Sequence, residues 1–187
     1  QKRADDLVKR NFNADHPDQL WVADFTYIQT HSGWVYTAFI IDVFSRAIVG
    51  WKVSTRMNTD MVLDALEQAL HDRGMPKNVI HHSDRGVQYL SIRYTNRLEA
   101  ANLRASVGTT GDSYDNALAE TVNGLYKTEV IEYLKADWQG LADVQLATLN
   151  WVDWFNKERV HSALGYVSPF EFEAMYYDKI NPLGQVA

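Results

Sequence analysis

Three acidic residues stand in settings where an acid has chemistry available to it. Asp24 lies inside residues 20–28, LWVADFTYI. A carboxylate set mid-strand among apolar neighbours is costly unless it is paired or bound to a metal. Asp84 follows a short β-like run, 78–82, and precedes Arg85 and Gly86; carboxyl ends of strands are where α/β proteins place ligands. Glu120 falls in a helical stretch, 115–132, on one face with Asn116, Asn123 and Lys127, while Leu118, Val122 and Leu125 occupy the other. Three carboxylates suit a hard cation such as Mg²⁺. Two such ions, about 3.5–4 Å apart, can hold the attacking and leaving oxygens of a phosphodiester exchange. Lys127 would then meet phosphate.

Spacing alone does not establish this site. The chain carries 24 Asp and Glu in 187 residues, so a separation of 36 positions, that of Asp84 and Glu120, recurs by chance roughly 2.5 times. Each acid also has an ordinary alternative. Asp24 can be a buried partner of Arg46 or Arg85, Asp84 a turn residue, and Glu120 a solvated helix acid.

The elements that must position these residues follow from the pattern. Residues 20–28, 34–43 and 47–53 are rich in β-branched and aromatic side chains and are separated by short turns, which predicts an antiparallel meander. A helix begins at Thr59, with Asn58 or Thr59 as its cap and Met61, Leu63, Ala65, Leu66, Ala69 and Leu70 as its apolar stripe. Next come a strand at 78–82, a helix at 91–101, a fifth strand at 103–107, a loop rich in small residues at 108–113, and the helix carrying Glu120. An amphipathic helix at 141–155 and a last short helix after the turn at 166–170 complete the order. Three strands followed by alternating elements predict an α/β fold with a mixed five-stranded sheet flanked by helices. Residues 1–16 read as a linker or disordered tail, 17–176 as the core and 177–187 as a C-terminal tail.

The chain has no cysteine. Disulfides, Cys-ligated zinc, iron–sulfur clusters and a thiol nucleophile are therefore excluded. The longest apolar run, Trp34 to Phe44, contains Thr37 and Asp42 and is too short to span a bilayer. The formal net charge is −6, which counts against a stand-alone DNA-binding module but not against a nucleic-acid enzyme whose site needs carboxylates. The six tryptophans, at 21, 34, 51, 138, 151 and 154, read mostly as core, with Trp151 and Trp154 sharing a helix face for packing.

Four stretches carry a resemblance: 19–27 (QLWVADFTY), 81–89 (HHSDRGVQY), 111–121 (GDSYDNALAET) and 156–166 (NKERVHSALGY). In these the chain resembles the transposases of insertion sequences of family three, second reading frame, and is more distantly similar to retroviral integrases. The family's acidic triad has 35 residues between its last two members, as Asp84 and Glu120 do, and a basic residue seven positions after the glutamate, as Lys127 is.

The resemblance implies an RNase H-like fold in which Asp24, Asp84 and Glu120 bind two Mg²⁺ or Mn²⁺ ions. It implies cleavage at a transposon end to free a 3′-OH, then joining of that hydroxyl by direct transesterification. It also implies DNA as partner (transposon ends and target), an upstream helix-turn-helix segment or protein of the same element, a homo-oligomer on DNA, and a bacterial, nucleoid-associated, cytoplasmic setting with no membrane. Tyr114, Asn116 and Asn123 join Lys127 as DNA contacts on this reading. Arg159 is a candidate phosphate contact, with a structural clamp as its alternative. His81 and His82, beside Asp84, read as structural histidines. A plain nuclease of the same fold and a non-catalytic DNA-binding or assembly domain are the rival functions.

Overall fold

The computed structural model describes residues 13–84, 88–89, 91–107, 117–134 and 137–182. Five strands form one mixed sheet: β1 (Leu20–Thr30), β2 (Gly33–Asp42), β3 (Ile48–Ser54), β4 (Ile80–Ser83) and β5 (Arg104–Val107), in the order β3-β2-β1-β4-β5. The first three pair antiparallel, as the turn pattern predicts, and β4 joins β1 in parallel. Five α-helices flank the sheet: α1 (Thr59–Asp72), α2 (Ile92–Ala100), α3 (Ala117–Tyr126), α4 (Leu141–Lys157) and α5 (Pro169–Ile180). A π-helical segment, Lys127–Glu132, continues α3. No helix among the described residues is long and apolar enough to cross a membrane.

Both faces of the sheet are covered, which is why β1 is an apolar run rather than an alternating one. Trp21 and Ala23 face α1 and α2 with Met61, Leu66, Tyr94 and Leu98. Val22 and Ile28 face α3 and α4 with Val122, Tyr126, Trp151 and Phe155. On the first face α1 lies so close to β3 that a Cβ on Gly50 would stand 2.3 Å from the Ala65 carbonyl oxygen. On the second, α4 grips β3 through Asn156, whose Oδ1 accepts from Ile48 N (2.8 Å) and whose Nδ2 donates to Ile48 O (2.9 Å). Asn156 thus stands in for a strand neighbour just past a register shift at Ile40 and Ile41.

A buried polar knot ties the chain's distant parts together. Arg73, at the end of α1, donates Nε to Asp18 (2.9 Å) and both terminal nitrogens to Glu173 of α5 (2.8 and 2.6 Å). Asp42 accepts from the backbone N–H groups of Asp18 (2.8 Å) and Ser45 (2.9 Å), and burial pushes its carboxyl up to about 6.

Two sequence expectations are corrected. The buried stripe of α3 is Ala119, Val122 and Tyr126, with Leu118 and Leu125 only flanking it. Tyr126 can be buried because its hydroxyl is shared with Thr37 (3.2 Å) and Thr148 (2.7 Å). Trp154 is also not core: Trp151 is buried, but Trp154 is largely exposed, as is Trp34.

Gly50→Ala tests the α1–β3 contact. Because backbone must move to admit the methyl, the substitution should lower unfolding free energy by about 1–3 kcal/mol, read as a lower urea midpoint with an unchanged slope.

Candidate active site

Parallel pairing of β1 with β4 runs from Leu20 opposite Ile80 to Ala23 opposite Ser83. Asp24 and Asp84 are the next residues on the two strands. Neighbouring strands lie about 4.8 Å apart, so the place where pairing stops brings two acids together. Among the described residues, β1 from Asp24 to Thr30 has a strand neighbour on one side only, β2.

Asp24 is half-buried, with Oδ1 accepting from Phe25 N (2.8 Å) and Oδ2 from Asn123 Nδ2 (3.0 Å). Its carboxyl is pushed up to about 6, first by burial and then by the charges of Asp84 and Glu120, against the lowering effect of those two hydrogen bonds. Tyr89, buried beside it, is held well above the ordinary phenol range by burial and by the same two aspartates. The three acids therefore share one electrostatic field. Glu120 and Asp84 are themselves exposed.

The donor set fits a hard divalent cation. It offers oxygen ligands only, and among the described residues no Lys or Arg pairs with Asp24. The buried Oδ1 of Asn123 also finds no hydrogen-bond partner there. Its side chains are not drawn into a closed cage: among the described residues no three His, Asp or Glu are gathered to hold a metal.

The other residues named from sequence fall in different places. Asn123 is turned inward and committed to Asp24, so it positions an acid. Its spacing with Glu120 put it on the right face but gave no sign that this face closes onto β1. Lys127 sits with Nζ 5.1 Å from the centre of the Tyr27 ring. Arg159 is committed to Glu129 (Nε 2.8 Å, Nη2 2.6 Å), which also accepts from Trp151 Nε1; this is the clamp arrangement. His81 is buried against the Tyr94 hydroxyl (2.6 Å), and His82 Nδ1 meets Ser106 Oγ (2.9 Å). Burial lowers His81 to about 4. Tyr114, Asn116 and the loop at 108–113 lie outside the described residues, as does Arg85.

Comparison with known proteins gives this geometry a family. The integrase core domain matches residues 14–113, and a second integrase core domain matches residues 101–169. The transposase for insertion sequence element IS629 of Shigella sonnei is 58% identical over 177 residues, covering 95% of this chain and 59% of the relative. A putative transposase for insertion sequence element IS986/IS6110 of Mycobacterium tuberculosis is 53% identical over 180 residues, covering 94% of this chain and 64% of the relative. The chain thus spans about 60% of the length of these relatives. Among solved structures, the HTLV-2 integrase catalytic core domain in complex with magnesium aligns with a TM-score of 0.69 at 18% identity, covering 86% of this chain and 99% of that one. A simian T-cell lymphotropic virus intasome chain aligns at 0.73 and 16% identity, covering 92% and 59%. Together with the sheet order, these likenesses show an RNase H-like fold.

Asp24→Asn can keep the hydrogen bond from Phe25 N, puts an amide donor where Oδ2 accepts from Asn123, and removes a charge. In the wild type, Asp24 and Asp42, both raised to about 6, make stability fall as pH rises from about 4 through 6. His81 and His161, both lowered to about 4, make it rise over nearly the same window. Removing Asp24 leaves the histidines less opposed. The variant's urea midpoint should climb more steeply between pH 4 and 6 than the wild type's, and at pH 7 it should exceed the wild type by about 1–2 kcal/mol in unfolding free energy. An unchanged pH profile would mean that the Asp24 carboxyl is not destabilised.

Proposed function

The chain belongs to the integrase core domain family, and on that premise we propose that it is the catalytic core of an insertion-sequence transposase. It would act as a metal-dependent polynucleotidyl transferase that cuts transposon DNA at its ends and joins the freed 3′-OH to target DNA. The observation that carries this reading is the pair Asp24 and Asp84 at the end of the β1–β4 pairing, with Glu120 close enough to raise Asp24 further.

Asp24, Asp84 and Glu120 would hold the divalent cations, two Mg²⁺ or Mn²⁺ ions. Held by these three residues, such ions would supply charge neutralisation for the attacking and leaving oxygens of the phosphodiester. The chain's own residues do the rest. Phe25 N and Asn123 fix the Asp24 carboxylate in one orientation, so little reorganisation is needed when DNA arrives. The mutual repulsion of the acids raises their affinity for positive charge, and near neutral pH, above the value of about 6 for Asp24, a cation would supply it. Lys127, on the same helical run as Glu120, meets a phosphate beside the reacting one. The reaction first breaks a P–O bond with water, leaving a 3′-OH. That oxygen then displaces another 3′ oxygen from phosphorus in the target strand, with no covalent bond to the protein.

End recognition would come from a helix-turn-helix segment or protein of the same element, in line with the share of the relatives that this chain spans. Two copies would hold two ends at the bacterial nucleoid. That division of labour suits a formal charge of −6.

The test is a joining assay on a duplex carrying the element's end, with Mg²⁺ or Mn²⁺, alongside Mn²⁺ titration by calorimetry. Asp24→Asn, Asp84→Asn and Glu120→Gln should each reduce end cleavage and joining on the order of 10²-fold or more and weaken Mn²⁺ binding while the protein stays folded. Lys127→Ala should weaken DNA binding and lower its salt slope by about 1. Cleavage without joining would favour a plain nuclease, and unaffected joining in the acid variants would sink the assignment.

A further inference from the structure

An exposed aromatic pair lies on β1 and β2 close to Asp24 and has no role in the core. Tyr27 is 56% exposed and Trp34 49%. Their rings meet edge to face, 5.3 Å between centres at 84°. In the antiparallel register Tyr27 is opposite Tyr36, so Trp34 is its diagonal neighbour on the same face of the sheet. Phe25 and Tyr36, on that face, are half-buried against the α1-side core; Tyr27 and Trp34 extend past it.

The cation over Tyr27 comes from the other side of the sheet. α3 packs on the face of Val22 and Ile28, and Lys127 follows directly from it. Its ammonium nevertheless sits over a ring on the opposite face. To reach that ring the side chain crosses the β4-side edge of β1, which beyond Ala23 has no strand neighbour among the described residues, while β2 pairs the other edge. Asp24 stands at the start of that open edge with its carboxyl on the α3 face, and Tyr27 lies about 10 Å along the edge, three residues at about 3.3 Å each, with its ring on the other face. That distance equals about three base steps of a DNA strand.

A diagonal aromatic pair adds roughly 0.2–1 kcal/mol to a hairpin, but that contribution needs no cation, and here the Lys127 ammonium is drawn onto one of two exposed rings. An edge-to-face pair leaves ring faces open for a third π-system. Aromatic rings beside a positive charge are the combination that holds unpaired nucleotides, the ring taking the base and the cation the phosphate.

We infer that Tyr27, Trp34 and Lys127 form a stacking site for one unpaired nucleobase, within about three nucleotides of the phosphate held at the acids. The inference rests on the reading of Asp24, Asp84 and Glu120 as the reaction centre. It adds to that reading a contact that discriminates frayed or single-stranded ends from intact duplex. Tyr27 and Trp34 are binding residues here, and the base they take can be of any identity, since every base has a π-face.

The test uses a duplex with a short single-stranded extension carrying a fluorescent purine analogue at one position at a time, and the same duplex with a blunt end. With wild-type protein, fluorescence should change at one or two positions near the junction and not at the others. Tyr27→Leu and Trp34→Leu should abolish that change and weaken binding of the extended duplex by roughly 5- to 150-fold, with blunt-duplex affinity and the urea midpoint little altered. Tyr27→Phe should keep both signals.

Uniform or absent fluorescence change in the wild type overturns the inference, whatever the variants do. So does equal weakening of blunt and extended DNA, or a shift in oligomeric state in the leucine variants with extended-duplex affinity unchanged, which would make the patch a contact between copies. Mn²⁺ binding and joining by the wild type are scored in parallel. If both are absent while position-specific stacking is present, the reaction-centre reading fails and the stacking site stands. If both are present without stacking, the reverse holds.

Discussion

The termination of one strand pairing sets the geometry of the proposed site. Four residues of β1 are bonded to β4, and the ladder then stops with an acid next on each side. Inside the sheet, two adjacent carboxylates would be intolerable. At its end they are half in water and half against a buried core, where repulsion raises the affinity for positive charge without unfolding the chain. The antiparallel pairings β1–β2 and β2–β3, the close seat of α1 over Gly50 and the Asn156 grip on Ile48 all hold this stop in one place. A slip of one residue in the β1–β4 register would separate Asp24 from Asp84 and also turn Val22 away from its core.

The electrostatics of the fold are arranged as opposed pairs. Two buried acids lie high, Asp24 and Asp42, and two buried histidines lie low, His81 and His161. Their proton linkages run in opposite directions across the mildly acidic range, so the site can hold a strained carboxylate at little cost to the pH tolerance of the whole. The strain is also spatially separate: Asp42 belongs to the Arg73 knot, and Asp24 to the open edge of β1.

Much of the architecture was legible in residue pattern. The meander of β1 to β3 was readable because short turn residues separate runs of β-branched and aromatic side chains, and the strand–helix alternation after Thr59 followed from apolar periodicity. The acids were legible through local words rather than through spacing. Pattern could not show which polar residues close onto one another. Asn123 and Glu120 share a helix stripe, yet one is buried on Asp24 and the other faces water, because the stripe straddles the rim of the sheet. Tyr126 looks polar in sequence but is core, since two threonines from distant elements satisfy its hydroxyl. Arg159 is indistinguishable in sequence from a phosphate ligand until Glu129, thirty residues earlier, is placed beside it. Trp34 and Trp154 show the opposite limit, large apolar side chains that the fold leaves outside.

The knot around Arg73 bears on how the molecule comes into being. Arg73 binds Asp18 from the start of β1's approach and Glu173 from the final helix, 100 residues later in the chain. While the chain is being synthesised, the sheet and α1 are available to fold well before Glu173 leaves the ribosome. Until then a buried guanidinium has half of its intended partners, beside an Asp42 already drawn into the core. The Arg73 knot is thus closed by α5, while its other members, Asp18, Asp42 and Arg73, all lie before β4 in the chain. Contacts of such long sequence separation are slow to form, so the full set of partners around Arg73 can be made only once Glu173 is available.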